Sequence, residues 1–308
     1  MCYGLGIDIG GTKIATVIIN EHGDILNRVE VLSDPSDKEK MFKQVITSIE
    51  SILLDTKLDI SNIEGMGIGV PGKVDRENGI AVFQNNLPWK EFPIVERIQD
   101  YFPIKNIVID NDVYMAAFAE WKVSEINKHD SFVYVTVSTG ISCSIIQEGS
   151  FIRGAGFAGE IGLVPVLEGK SSNSMQTLEK SASGPAIQKL AAMRLNRPGI
   201  TTKGLFEAYK NGDSGTHSVM EEVVDSLTRG IYGIICLLDP HKIVFGGGVM
   251  NNHPYLLDLV KDRLSHYVIP EQKHAIKQMQ LSKLKGDSGV VGAGLRGLES
   301  VKVFENNG

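Results

Sequence analysis

The stretch Gly4-Leu5-Gly6-Ile7-Asp8-Ile9-Gly10-Gly11-Thr12-Lys13-Ile14-Ala15-Thr16-Val17-Ile18-Ile19 decides the fold. It opens as an apolar run suited to a buried strand, closes on a carboxylate and two glycines, and resumes at once as a second β-branched run from Lys13 to Ile19. Asn20-Glu21-His22-Gly23 then reads as a hairpin turn into a third run, Ile25 to Val31. The glycines therefore join two strands of a meander. They are not the phosphate loop G-x-x-x-x-G-K-[ST], whose spacing is absent and which leads into a helix.

Outward from this meander, Met41, Phe42, Val45, Ile46, Ile49 and Ile52 fall on one face of a helix. Gly65 to Val70 reads as a buried strand ending at Pro71-Gly72, Ile107 to Asp110 as another, and Val113 to Lys122 as an alanine-rich helix. A similar order then returns. Phe132 to Val137 and Cys143 to Gln147 are strands around Ser138-Thr139-Gly140, followed by a long amphipathic helix from Met220 to Leu237, the strand Lys242 to Phe245 and a glycine run. The repetition predicts a duplicated α/β fold of two domains with a ligand cleft between them. One domain is expected over 1–118 with 291–308, the other over 119–290.

Composition narrows the function classes. The chain has 308 residues with 42% apolar and 22% charged content, enough for two real cores and too apolar for disorder. A net charge of −6 supplies no basic footprint for nucleic acid or for an anionic membrane, so neither is expected as a partner. Cys2, Cys143 and Cys236 are too scattered for a disulfide framework or a zinc cluster, which fits a reducing compartment. With no signal-peptide pattern and no apolar run of membrane length, a cytoplasmic location is expected.

Four segments carry chemistry. Asp8-Ile9-Gly10-Gly11-Thr12-Lys13 places a carboxylate at a strand end before two glycines that let backbone N–H groups face an anion. There Asp8 can hold Mg²⁺ directly or through water, and Thr12 can donate to a phosphoryl oxygen. The same residues also suit a plain hairpin with Asp8 capping it. Ser138-Thr139-Gly140 offers a second set of hydroxyl and N–H donors, or simply a Ser/Thr turn. Gly246-Gly247-Gly248 at a strand end allows a flat ligand such as adenosine to lie on backbone, or makes a loose turn. Gly289 and Gly292-Ala293-Gly294 read as close helix packing. Asp110-Asn111-Asp112 puts two carboxylates around an amide where a helix cap needs one residue. Phosphoryl transfer to an alcohol needs a carboxylate to take the hydroxyl proton, and an amide beside it can fix a sugar. Further amides and carboxylates able to meet sugar hydroxyls are Asn85, Asn86, Glu160 and Glu179.

Taken together and in this order, the motifs resemble the ROK family of bacterial sugar kinases and repressors. The resemblance rests on Asp8-x-Gly10-Gly11-Thr12-Lys13, Val70-Pro71-Gly72, Asn86-Leu87-Pro88-Trp89, Asn111-Asp112-Val113, Gly159-Glu160-x-Gly162, Leu178-Glu179 and Gly246-Gly247-Gly248. It implies the actin-like ATPase (ribonuclease H-like) fold, ATP with Mg²⁺ as cofactors, and a hexose in the interdomain cleft. Asp112 is then the general base, and Gly72, Asn86, Asn111, Asp112, Glu160 and Glu179 bind the sugar. Asp8, Gly10, Gly11, Thr12, Lys13, Thr139, Gly140, Gly246, Gly247 and Gly248 hold the nucleotide and its metal, and a homodimer is common in the family. Repressors of the family carry a helix-turn-helix ahead of the first glycine motif, for which a strand starting at Gly4 leaves no room. The remaining alternative is a catalytically weak sugar-binding regulatory protein without a DNA-binding domain.

Two departures from the family pattern bear on function. Members usually place a histidine after the glutamate motif and a cysteine cluster before the Leu-Glu, which bind structural zinc. Here Leu163 stands at the histidine and Lys170, Ser172 and Thr177 at the cysteines, so no zinc is expected. Ser142 and Ser144 stand where the family favours glycines, beside the second phosphate turn. Leu163 in place of a polar ligand favours an apolar or bulkier group on the sugar. The expected substrate is N-acetylmannosamine or a β-glucoside, ahead of glucose or fructose, phosphorylated on O6.

Overall fold

The computed structural model describes residues 2–84, 86–167 and 174–305, with the side chains of 302–305 excepted. The chain forms two compact units, 1–124 with 287–308, and 125–286. The first edge follows the helix that starts at Asp112 and runs unbroken to Val123, and the second falls just before the helix that starts at Ser288.

In the first unit, strands β1 (Tyr3–Ile9), β2 (Lys13–Ile19), β3 (Ile25–Leu32) and β4 (Ile63–Val70) are followed by a small three-stranded sheet of β5 (Lys73–Asp75), β6 (Ile80–Phe83) and β7 (Lys90–Phe92), and then by β8 (Ile107–Asn111). The main sheet has the order β3-β2-β1-β4-β8, antiparallel across the meander and parallel from β1 to β4 to β8. Helix α1 (Lys38–Thr56) buries the six apolar residues that its spacing predicts to share a face. They pack with Leu5, Ile7 and Ile9 of β1 in one core. Burying a side chain of this kind is worth about 1.5–3 kcal/mol. Asp37 caps α1 by accepting from the N–H groups of Glu39 and Lys40.

The other face of this sheet is floored with glycine. A β-carbon on Gly67 would lie 1.8 Å from the Ala293 carbonyl, so only glycine lets the C-terminal helix (Ser288–Glu305) rest its backbone directly on the strands. Gly292 meets the Met115 carbonyl of α3 (Asp112–Val123) in the same way. Helix α2 (Ile94–Tyr101) completes the unit.

The second unit repeats the plan. Strands β9 (Phe132–Val137), β10 (Ile141–Gln147) and β11 (Ser150–Ile152) form the meander, β12 (Pro165–Leu167) and β13 (Met175–Thr177) a separate hairpin, and β14 (Lys242–Gly246) and β15 (Met279–Leu281) complete the sheet. Its order is β11-β10-β9-β14-β15, again antiparallel through the meander and parallel beyond it. The core lies against α4 (Leu178–Ala182), α5 (Gly184–Arg194), α6 (Thr202–Lys210), the long α7 (His217–Leu238), α8 (Gly248–Asn252) and α9 (Tyr255–Ser265). Among the described residues no helix is long and apolar enough to cross a membrane.

Candidate active site

In the first unit the candidate residues converge because three adjacent parallel strands end together. Across the sheet Asp8 pairs with Gly69, Gly69 with Asp110, and Val70 with Asn111. Carboxyl ends of parallel strands are where open α/β sheets bind ligands. Gly69 measures the convergence. A β-carbon there would sit 3.6 Å from Asp8 Oδ1 and 3.6 Å from the Asp112 Cα. The Gly289 Cα faces the same carboxylate, its β-carbon position lying 2.8 Å from Asp8 Oδ2. The start of the C-terminal helix thus backs Asp8, where packing alone was expected.

Asp8 is partly buried, and its carboxyl is pushed up to about 7, first by burial and then by the charge of Asp112, with Lys13 and Arg28 opposing. Like charge nearby and burial both disfavour an ionised carboxyl, and a bound cation would offset both. Among the described residues no cluster of three or more His, Cys, Asp or Glu is assembled. Mg²⁺ needs no such cage, since it takes one or two carboxylates and completes its shell with water and phosphate oxygens. The oxygen donors present fit it.

Asn111 is the N-cap of α3, and both ends of its amide are placed. Its Oδ1 accepts from the Val113 N–H at 2.9 Å and its Nδ2 donates to the Gly72 carbonyl at 3.0 Å. Gly72 has φ +80° and its β-carbon would meet the Phe83 carbonyl at 2.3 Å, which requires glycine. Asp112 follows at the first helical position, its Oδ1 also accepting from the Val113 N–H at 2.9 Å. Asp110 is 2% exposed and accepts from the Asn111 N–H. It lies inside the strand end.

The hairpin 10–12 is braced from the residue that follows β3. Ser33 donates through Oγ to the Gly10 carbonyl at 2.6 Å and through its N–H to the Thr12 carbonyl at 3.0 Å. Thr12 is exposed, and Gly11 lies against Asn86, whose carbonyl would be 2.9 Å from a β-carbon on Gly11. Asn86 is exposed, and its loop is anchored by Trp89, buried and stacked on Phe92, with Nε1 donating to the Lys38 carbonyl at 3.1 Å. Lys13, expected at the phosphate, has its ammonium paired with Glu30. Asn85 lies outside the described residues.

In the second unit the turn 138–140 is held from two sides. The Gly184 N–H at the start of α5 donates to the Ser138 carbonyl at 2.8 Å, and Glu179 Oε2 accepts from the Ile141 N–H at 2.9 Å. Glu179, expected at the sugar, thus has one carboxylate oxygen committed to the backbone just after the turn 138–140. Thr139 is exposed at its tip. Glu160 is exposed after Gly159, whose carbonyl accepts from the Cys143 N–H at 2.8 Å. Partial burial, and then the nearby charge of Glu179, raises the Glu160 carboxyl. The Cys143 thiol beneath it is pushed up to about 12 by burial, first, and by Glu160, so it is inert at neutral pH.

Of the glycine triplet, packing explains two. Gly246 lies against the Tyr134 hydroxyl, and Gly247, with φ +85°, against the Val137 carbonyl. Gly248, the third of the triplet, has open space around its β-carbon position. A cavity of about 520 Å³, lined by Gly184, Pro185, Gln188, Lys189, Ala192 and Pro198, opens along α5. None of its lining residues belongs to a motif named from the sequence. Of the two family departures near the turn, Ser142 donates to the Gly159 carbonyl at 3.3 Å, and Ser144 is fully buried within β10. Neither side chain occupies the turn. At the positions linked to zinc, Leu163 is 63% exposed and Thr177 caps α4, while Lys170 and Ser172 lie outside the described residues.

Known proteins match this chain along nearly its whole length. A glucokinase from Halalkalibacterium halodurans is 28% identical, with 94% of this chain and 93% of that protein covered. A xylose repressor from Caldicellulosiruptor bescii is 26% identical over 94% of this chain and 76% of its own length. Among solved structures, a ROK family glucokinase from Streptomyces griseus in complex with glucose and AMPPNP superposes with a TM-score of 0.80 at 27% identity, covering 96% of this chain and 99% of that one. The sheet repeated in both units and this likeness identify the actin-like ATPase fold. The family model described as the ROK family matches residues 4–295, and the chain belongs to that family.

Proposed function

We propose that the chain is an ATP-dependent sugar kinase that moves the γ-phosphoryl group of ATP onto a hexose hydroxyl, O6, with Asp112 as general base. The observation that carries this reading is the gathering of Asp8, Asn111 and Asp112 at the ends of three neighbouring parallel strands. The names of its relatives and the glucose and AMPPNP of the Streptomyces griseus structure agree with it.

Asp112 sits at the first position of α3, where the helix dipole favours its ionised form, the form a base requires. It takes the proton of the attacking hydroxyl as the new O–P bond forms and the bond to ADP breaks, then returns that proton to solvent. Asn111, already fixed by Gly72 and Val113, keeps one amide hydrogen for the sugar, with Gly72 beside it and Asn86 against Gly11 as further sugar contacts. Mg²⁺ held by Asp8, directly or through water, supplies neutralisation of phosphate charge. The Gly10 N–H is spent on the Lys13 carbonyl at 3.0 Å, which leaves Gly11 and Thr12, and in the second unit Thr139 and Gly140, as N–H and hydroxyl donors to phosphoryl oxygens. The cavity along α5 and the open backbone at Gly248 suit the adenosine half, at a volume in the range of small-molecule sites. Glu160 and the free oxygen of Glu179 face sugar hydroxyls.

Leu163, exposed one short turn after Glu160, sets the choice of sugar in this reading. A polar hydroxyl beside it lacks a partner, at a cost on the order of 1–3 kcal/mol or roughly ten- to hundredfold in affinity. N-acetylmannosamine or a β-glucoside is therefore favoured over glucose and fructose. The test is ADP release over these four sugars, in wild type and Leu163→His. ADP release with the first two sugars, shifting toward glucose in the variant, is the expected result. Clear preference for glucose with no effect of the histidine overturns the role of Leu163. Sugar binding without ADP release from any sugar overturns the kinase and leaves the regulatory sugar-binding protein.

A further inference from the structure

One buried amide next to the candidate site is used by none of the steps above. Gln84 is 4% exposed, and it follows β6 at the point where that strand lies against β5. In the register of that pair Lys73 faces Phe83, which sets Gly72 beside Gln84, and a β-carbon on Gly72 would be 3.1 Å from the Gln84 Cα. Gln84 Nε2 donates to the Lys73 carbonyl at 3.2 Å. Turning the amide over would set oxygen against oxygen, so its orientation is fixed. The cost is visible at the other end, where Oε1 is buried with no hydrogen-bond partner.

A buried amide satisfied on one side only is a poor way to fill space, and an apolar side chain of the same volume avoids the penalty. What Gln84 gains is a hold on the segment that receives Asn111. The chain of contacts runs from Gln84 Nε2 to the Lys73 carbonyl, through one peptide unit to the Gly72 carbonyl, and from there to Asn111 Nδ2 at 3.0 Å. Asn111 in turn is the cap on which Asp112 begins α3. We infer that Gln84 is a positioning residue, which through Lys73 and Gly72 fixes the amide of Asn111 and the approach of Asp112 to the acceptor hydroxyl. Its kinetic consequence rests on the kinase reading, whereas its mechanical consequence does not.

The test uses the full chain with Mg²⁺ and ATP, comparing wild type, Gln84→Met and Gln84→Glu. Methionine keeps the volume and removes the donor. The account expects kcat to fall roughly ten- to hundredfold in Gln84→Met, the scale of a small misplacement of a catalytic group. KM for ATP stays within about twofold and Tm within a few degrees, since an unsatisfied acceptor leaves the core together with its donor. Amide hydrogen exchange over 72–75 and 110–113 quickens roughly tenfold and is unchanged elsewhere. In Gln84→Glu the ionised carboxylate faces the Lys73 carbonyl at high pH, and protonation restores a donor, so kcat recovers as pH is lowered. Wild type shows no such recovery. Wild-type kcat and exchange in Gln84→Met overturn the inference, as does a fall in kcat matched by a general loss of Tm and faster exchange throughout. If wild type releases no ADP from any sugar, the kinase reading fails while the exchange result still decides the hold of Gln84 on Gly72 and Asn111.

Discussion

Both units bend their first strand back on the second at the same place in a sheet of the same order, yet the two turns are armed differently. Asp8 is the last but one residue of β1 and faces Gly69 of the neighbouring parallel strand; Thr136 is the last but one of β9 and faces Gly246. The backbones match, and a carboxylate stands in one where a hydroxyl stands in the other. The bracing differs as well. Ser33, the residue after the third strand, holds the first turn, while the second is held by a glutamate and a helix start from outside the meander. Duplication thus provides two backbone cradles, and a single register position decides which one carries charge. In the proposed reading the charged turn of the first unit is the one that holds the metal, next to the proton acceptor.

The sharpest way to break the comparison is to alter the two equivalent positions in parallel. Asp8→Asn is expected to cut kcat/KM roughly 10²–10³-fold, the scale of losing one electrostatic element of a transfer site. Thr136→Val is expected to cost less than about tenfold. Equal losses, measured by ADP release at saturating Mg²⁺, remove the distinction between the units.

The same carboxylate makes a smaller, separate prediction about pH. The folded-state value of Asp8 is about 7 against 3.8 for an ordinary aspartate, so the folded chain holds a proton that the unfolded chain has lost. The contribution to stability is complete below pH 3.8 and disappears as pH rises through about 7. Without metal, wild type should lose on the order of 4 kcal/mol relative to Asp8→Asn between pH 4 and 8. Denaturant titrations of both proteins across that range test it. Parallel stability curves mean that Asp8 is not held in this strained, metal-ready state.

The smallest expected effect is none. Leu163 is exposed and apolar, and Thr177 spends its hydroxyl capping α4, so neither serves a zinc ion. Tm should be the same with and without a strong chelator, whereas a structural zinc site contributes folding energy directly. A chelator-induced drop in Tm with stoichiometric zinc released refutes this.

What was legible in the sequence follows from contact range. The meander 3–32 and the buried face of α1 could be read because periodicity and turn chemistry are local, and all six apolar residues expected on that face are buried there. The sheet β5-β6-β7 and the hairpin β12-β13 could not, since strands of three or four residues show no period. Candidate site residues could be named, but not their partners. Lys13 with Glu30, Glu179 with the Ile141 N–H, and Gly289 against Asp8 are contacts between distant segments that no local pattern encodes. Gln84 gave no signal at all, because a glutamine becomes informative only once it is buried with one end unsatisfied.

The central claim, that the first unit carries the proton acceptor, is tested most directly by Asp112→Asn. Turnover is measured by ADP release and sugar affinity by calorimetry on the same preparation. The account predicts a fall in kcat of roughly 10²–10⁴-fold with sugar binding retained, since asparagine keeps the hydrogen bond to Val113 and loses only the base. Turnover near that of wild type in Asp112→Asn contradicts it.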